Sequence, residues 1–341
     1  MSTQYAPRVQ APTEERNPRT TEIDLVPTLD LLRLLNAEDR TVPEAVAAVL
    51  PALAQVVDEA AARLGAGGRM HYFGAGTSGR LAVLDAAELI PTFGLDPGLV
   101  VAHHAGGQAA LEQAVENRED DPDEGAAAAA QVTRADLVVG LTASGRTPYV
   151  GGALRAARAA GAFTVLVSSN PRAELAALAD IHLAADTGPE AVAGSTRLKA
   201  GTAQKLILNA LSTALMVLLG RTYSNLMVEM SASNAKLRGR LLTILAEASG
   251  EPTEVCAAAL AAADGEVKTA LVAILADVPA EAARAALAAT AGRVRPAIET
   301  AHRPSPATTH RAASDPAPAP ATTAAGPDAD PAGAAAACAG R

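Results

Sequence analysis

The chain of 341 residues can hold one large α/β domain and a smaller appendage. Its formal net charge of −9, with no basic block, argues against general nucleic-acid binding, so local cations must supply any affinity for phosphate. The two cysteines, Cys256 and Cys338, lie far apart, the second in the tail, and read as reduced and incidental, and no apolar stretch reaches the roughly 20 residues of a membrane span, the longest being 206–219.

Residues 1–20 are polar and aperiodic, which predicts a loose N-terminal segment without a secretory leader, and hence a cytoplasmic protein. A short helix is expected over 29–35. Thr41-Val-Pro-Glu44 reads as a capping box opening a helix that runs to about 64, kinked or split at Pro51. Beyond Gly65-Ala-Gly-Gly68 the pattern alternates. Strands are predicted at 69–73, 98–103, 135–141, 162–168 and 180–184. Helices are predicted at 78–89, 108–117, 123–131, 147–160, 172–178 and 196–219. Continuous apolar strands alternating with helices predict a doubly wound parallel sheet flanked by helices, with ligands at the carboxyl ends of the strands. A Met-, Ser- and Asn-rich helix is expected over 225–245, and three short alanine-rich helices over 251–299. Residues after about 302 lack large apolar side chains and are expected to be disordered.

Two turns carry the chemistry. Gly74-Ala-Gly-Thr-Ser-Gly-Arg80 follows the first strand, and Thr142-Ala-Ser-Gly-Arg-Thr-Pro-Tyr149 follows the third. Each aims backbone N–H groups and hydroxyls at one spot by a helix N-terminus, which suits a phosphate. Thr77, Ser78 and Gly79 of the first turn, and Ser144, Gly145, Arg146 and Thr147 of the second, are the candidate phosphate ligands. The first turn also matches G-x-G-x-x-G. A dinucleotide site would need a carboxylate at the end of the next strand, where Val100-Val-Ala-His-His104 has none.

Ser195 or Thr196 is placed to cap the long helix that follows. Arg197 and Lys199 put positive charge in its first turn, which opposes the helix dipole unless an anion binds there, so Ser195 and Lys199 join the candidate ligands. Glu88 lies near the predicted end of its helix, where a negative charge also opposes the dipole; the alternative is an exposed helix glutamate. The run Glu116-Asn-Arg-Glu-Asp-Asp-Pro-Asp-Glu124 reads as a solvated loop, and pattern alone does not choose Glu119 from its neighbours. His103 and His104 lack the spacing of a metal site, so no metal or cofactor is expected.

These segments, with Thr21-Glu-Ile-Asp24, Asn36-Ala-Glu-Asp-Arg-Thr-Val-Pro43, Pro91-Thr-Phe-Gly94, Gly188-Pro-Glu190, Gly194-Ser-Thr-Arg-Leu-Lys-Ala-Gly-Thr-Ala-Gln-Lys205 and Asn225-Leu-Met-Val228, run collinearly from about 21 to 245. Together they resemble the N-acetylmuramic acid 6-phosphate etherases of the sugar-isomerase (SIS) superfamily, relatives of the glucokinase regulatory proteins. The resemblance implies a SIS catalytic domain over 21–250, a small helical domain over 251–301, and a homodimer with sites near the subunit interface. It also implies a sugar-phosphate substrate, with neither nucleic acid nor membrane as a partner. The implied reaction opens the sugar ring, removes the proton beside the aldehyde, expels lactate from the next carbon and adds water there. It carries the family's two acid/base carboxylates onto Glu88 and Glu119, and gives Ser78, Ser144 and Thr147 the grip on the 6-phosphate. The surroundings depart from the family pattern at Ala87, Leu89, Ile90, Asn117 and Arg118, and Arg118 is placed to ion-pair with Glu119. A non-catalytic sugar-phosphate sensor and an aldose–ketose isomerase are the alternatives on the same fold.

Overall fold

The computed structural model describes residues 11–112, 117–229 and 235–302. Five strands form one parallel sheet: β1 (Met70–Gly74), β2 (Val100–His104), β3 (Leu137–Leu141), β4 (Phe163–Ser168) and β5 (Ile181–Ala184). Their spatial order is β2-β1-β3-β4-β5. The chain therefore leaves β1 toward one edge, returns, and continues toward the other, which opens a crevice at the carboxyl ends of β1 and β3. Gly74 is in register with His104 on one side and Leu141 on the other, so three strands end flush.

Alternation along the strands builds two cores. Met70 and Tyr72 of β1, with Leu137, Val139 and Leu141 of β3, face α2 (Val42–Ala47), α3 (Leu50–Gly65), α4 (Gly76–Phe93) and α8 (Lys199–Leu218). Phe73 and Val138 face the other way, onto α6 (Pro122–Ala128) and α7 (Pro148–Ala159). Side chains two apart share a face of a strand, so helices cover both faces of the sheet. α1 (Thr28–Asp39) precedes these, and α5 (Ala109–Glu112) follows β2.

The helix expected over 225–245 is different in part. Thr222–Tyr223 (β6) and Leu226–Met227 (β7) pair as a small antiparallel hairpin, with Ser224 at φ 52, before α9 (Ala235–Ser249). Four helices follow rather than three: α10 (Thr253–Ala262), α11 (Val267–Ala276), α12 (Ala280–Ala289) and α13 (Val294–His302). They share an apolar cluster with α9 and Val228.

Local endings also differ from expectation. Pro51 does split the early helix, between α2 and α3. No capping box forms at Thr41, whose backbone is already helical and whose hydroxyl donates to the Glu38 carbonyl at 2.8 Å. α4 runs through Pro91 to Phe93, so Glu88 lies well inside it and the dipole argument for that residue lapses. The segment 11–20, read as loose, is packed: Thr13, Asn17 and Thr20 are buried. The expectations for residues 1–10, 113–116 and 303–341 lie outside the described residues.

Candidate active site

The first turn joins β1 to α4. Ala75 is extended and caps the helix, which opens at Gly76 with φ 53. Gly79 N–H closes the first helical bond onto the Ala75 carbonyl at 3.2 Å, so the amides of Gly76, Thr77 and Ser78 precede the helical ladder. Ser78 is buried and Thr77 half-buried. Gly79 is required by space. A methyl there would come within 2.5 Å of both the Gly74 carbonyl oxygen and the His104 ring. Arg80 donates to the carbonyls of Ala110 and Leu111, both at 2.8 Å, and so ties α5 to α4.

The second turn joins β3 to α7, and its hydroxyls organise it. Thr142 Oγ1 lies 2.7 Å from Thr147 Oγ1 and 3.5 Å from Ser144 Oγ, and it accepts the Gly145 N–H at 3.3 Å. Ser144 Oγ accepts the Arg146 N–H at 3.3 Å, while Asn170 Nδ2 donates to the Ser144 carbonyl at 2.9 Å. Gly145 has φ 74, and a methyl there would lie 2.2 Å from Ala173 Cβ, so only glycine fits. Arg146 is turned outward, 3.1 Å from Glu174. Because β1 and β3 are neighbours and end flush, both turns stand on one edge of the sheet, at the crevice.

Glu119 is brought to the second turn through the backbone. Tyr149, in the first turn of α7, donates its N–H to the Glu119 carbonyl at 3.0 Å. The approach of α6 to α7 makes this contact possible. Methyls at Gly125 and Gly152 would lie 1.9 Å from the Tyr149 carbonyl oxygen and 1.8 Å from that of Pro122. Asp121 caps α6 through the amides of Asp123 and Glu124, both at 3.0 Å. Arg118 meets Glu124 at 3.5 Å, not the expected Glu119. The Glu119 side chain is exposed.

Glu88 is not brought to the turns within one chain. It follows Ser78 by ten residues, about 15 Å along the α4 axis, and is exposed on the same face as Leu84, one turn earlier. Its neighbours Ala87 and Ile90 line a cleft of about 560 Å³ along the free edge of β2, together with His103, His104 and Tyr149. Burial holds the His103 imidazole down at about 4, with His71 adding to the effect, so His103 is neutral near pH 7. His71 Nδ1 sits 3.1 Å from His103 Nε2.

The start of α8 is built differently from expectation. Neither Ser195 nor Thr196 caps it. The buried carboxylate of Glu190 accepts the N–H groups of Lys199 at 2.9 Å and Ala200 at 3.0 Å. The Lys199 ammonium, expected to meet a phosphate, is fully enclosed and meets Glu38 at 2.8 Å. Ser195 is half-buried in the loop just before the helix. Sequence reasoning also passed over Thr142, Asn170 and Glu190. Thr142 lay inside the quoted turn and Glu190 inside the quoted Gly188-Pro-Glu190, neither with a role of its own, and nothing local marks Asn170.

Comparison with known proteins agrees with this architecture. The glucokinase regulatory protein N-terminal SIS domain matches residues 52–158, and the SIS domain matches residues 119–214. The N-acetylmuramic acid 6-phosphate etherase of Thermobifida fusca is 64% identical over 267 residues, 78% of this chain and 88% of that protein. The enzyme of the same name from Cutibacterium acnes is 55% identical over the same shares of the two chains. Among solved structures, a phosphoheptose isomerase from Francisella tularensis is 21% identical, with a TM-score of 0.45, and covers 56% of this chain and 98% of its own. With a relative at 64% identity spanning most of both chains, this chain belongs to the N-acetylmuramic acid 6-phosphate etherase family.

Proposed function

We propose that this chain cleaves the D-lactyl ether of N-acetylmuramic acid 6-phosphate to N-acetylglucosamine 6-phosphate and D-lactate, a step in recycling cell-wall amino sugars. The observation that carries the reading is the pair of ordered hydroxyl turns on one sheet edge, in a chain of this family. Ser78, Ser144 and Thr147, with the first amides of α4, hold the 6-phosphate. Glu88 and Glu119 divide the proton transfers. With the ring open, a base takes the C2 proton beside the aldehyde. An acid protonates the ether oxygen at C3 as the C–O bond breaks, and D-lactate departs. Water then adds at C3 across the conjugated double bond: the carboxylate that protonated the ether takes a proton from the water, and the other returns its proton to C2. The 6-phosphate keeps the substrate from crossing a membrane freely, which favours a cytoplasmic enzyme.

The reading includes a homodimer. Its support is the distance between Glu88 and the turns in one chain, and the exposed Leu84 one helical turn before that glutamate. The test is D-lactate release from N-acetylmuramic acid 6-phosphate by wild type, Glu88→Ala and Glu119→Ala. Release by wild type with a loss of about 100-fold or more in each variant is expected when an acid/base group is removed. A folded wild type that binds the sugar phosphate but releases no lactate would overturn the reading in favour of a sensor.

A further inference from the structure

Four charged groups with no part in the proton transfers meet around the first turn of α8. Glu38 Oε2 accepts from Lys199 Nζ, Asn17 Nδ2 and Arg19 Nη2, each at 2.8 Å, and Glu38 Oε1 accepts from Arg19 Nε. Glu190 occupies the helix amides beside them. Glu38, Glu190 and Lys199 are buried, while the Arg19 side chain is 57% exposed and closes the cluster from outside. Burying such a set costs more desolvation than an apolar filling of the same volume, so stability alone is a poor account of it.

The cluster has a geometric consequence. It fixes the segment 11–20 across the loop that precedes α8. Asn17 Nδ2 also reaches the Pro189 carbonyl at 3.3 Å, Thr20 Oγ1 donates to the Ala191 carbonyl at 2.8 Å, and Gly194 N–H donates to the Thr13 carbonyl at 3.0 Å. That loop leads into α8, whose Gly201 lies between the loop's Thr196 and Thr77 of α4. A methyl at Gly201 would lie 3.4 Å from the Thr196 carbonyl oxygen and 3.4 Å from Thr77 Cγ2. The strap, the loop and the first turn of the candidate phosphate site are thus in series.

We propose that Arg19, Asn17 and Glu38 form a latch that positions the 189–198 loop, with Ser195, against the α4 N-terminus, and that the latch sets affinity for the sugar phosphate. These are positioning residues, and none touches the reacting atoms. The Lys199 ammonium belongs to the latch. The proposal rests on the etherase reading for its substrate, and its test is arranged so that the two fail separately.

The experiment compares wild type, Arg19→Met and Arg19→Lys in D-lactate release and in amide hydrogen exchange at Gly194. Arg19 is chosen because its side chain is 57% exposed and Asn17 and Lys199 still pair Glu38 when it is removed. Arg19→Met is expected to raise KM about tenfold with kcat within about twofold, to speed Gly194 exchange, and to lower Tm modestly, with Arg19→Lys restoring it. Arg19→Lys is expected to recover most of the affinity. Unchanged KM in an active Arg19→Met variant overturns the latch and leaves the etherase reading intact. A large fall in Tm with no rescue by lysine also overturns it, in favour of a structural role. If wild type releases no lactate, the etherase reading fails. The latch is then decided by Gly194 alone, where faster exchange in Arg19→Met supports it and unchanged exchange overturns it.

Discussion

The backbone N–H of Tyr149 reaches the carbonyl of Glu119 at 3.0 Å, so a loop glutamate and the first turn of a helix move as one unit. The contact depends on two glycines rather than on either side chain. Gly152→Ala would place a methyl 1.8 Å from the Pro122 carbonyl oxygen and force α6 away from α7. Stability is expected to fall by roughly 1–3 kcal/mol, as for an overpacked core. Lactate release should fall further than the fraction unfolded accounts for. Thermal melts and kcat measured together check both.

Thr142 is the hub of the second turn, touching Thr147, Ser144 and the Gly145 amide. Thr142→Val keeps the shape and removes the hydroxyl. A loss of about 1–3 kcal/mol of phosphate binding is expected, and Thr142→Ser should restore most of it. Titration with inorganic phosphate or N-acetylglucosamine 6-phosphate measures this directly.

The assembly makes its own prediction. If each site takes Glu88 from one subunit and Glu119 from the other, inactive Glu88→Ala and Glu119→Ala proteins should complement when refolded together. Random pairing makes half of the dimers mixed, each with one intact site of two. About a quarter of wild-type activity should therefore return. No recovery would place both carboxylates of a site in one subunit.

Two buried carboxylates give stability opposite pH slopes. Asp85 accepts from Tyr72 at 3.0 Å and from Ser212 at 2.9 Å, yet burial dominates and raises its pKa to about 6. The folded state thus binds this proton more tightly than the unfolded chain. Its contribution is fully present below about 3.8 and is lost as pH rises through about 6, on the order of 3 kcal/mol. Glu38 is the reverse. The Arg19 hydrogen bonds, with help from Lys199 and Asn17, hold its pKa near 2 against the cost of burial. Its stabilisation, also on the order of 3 kcal/mol, is present above about 4.5 and is lost as pH falls toward 2. Urea melts between pH 3 and 8 should show both slopes. Asp85→Asn should erase the upper one and Glu38→Gln the lower.

Glu190→Ala strips the cap from two α8 amides at once. A loss of about 1–2 kcal/mol is expected, at the upper end for a cap because the site is buried. Glu190→Gln retains one acceptor and should lose less.

The sheet and its two turns were legible because their signals are local. Val138-Val139 and Leu166-Val167 sit in unbroken apolar runs, and glycines with hydroxyl residues follow the strands that carry the turns. What escaped was non-local or very short. Glu190 caps a helix nine residues later, and Glu38 finds Lys199 across 161 residues, so neither pairing follows from spacing. Strands of two residues, as in β6 and β7, carry too little pattern to be seen against a helical background. The helix predicted to end at 89 runs on through Pro91, two residues before its last, Phe93. Arg118 had two acidic neighbours in reach, and only the fold of α6 decided for Glu124.

An N-terminus that already holds carboxylates offers nothing to a passing dianion. Glu190 on its amides and Glu38 on its lysine leave α8 electrically satisfied before any substrate arrives. In a solution crowded with phosphate esters, that removes a decoy beside the true cradle. A phosphate drawn to this edge of the sheet finds the α4 amides open and α8 closed, so competition among anions is fought at one address.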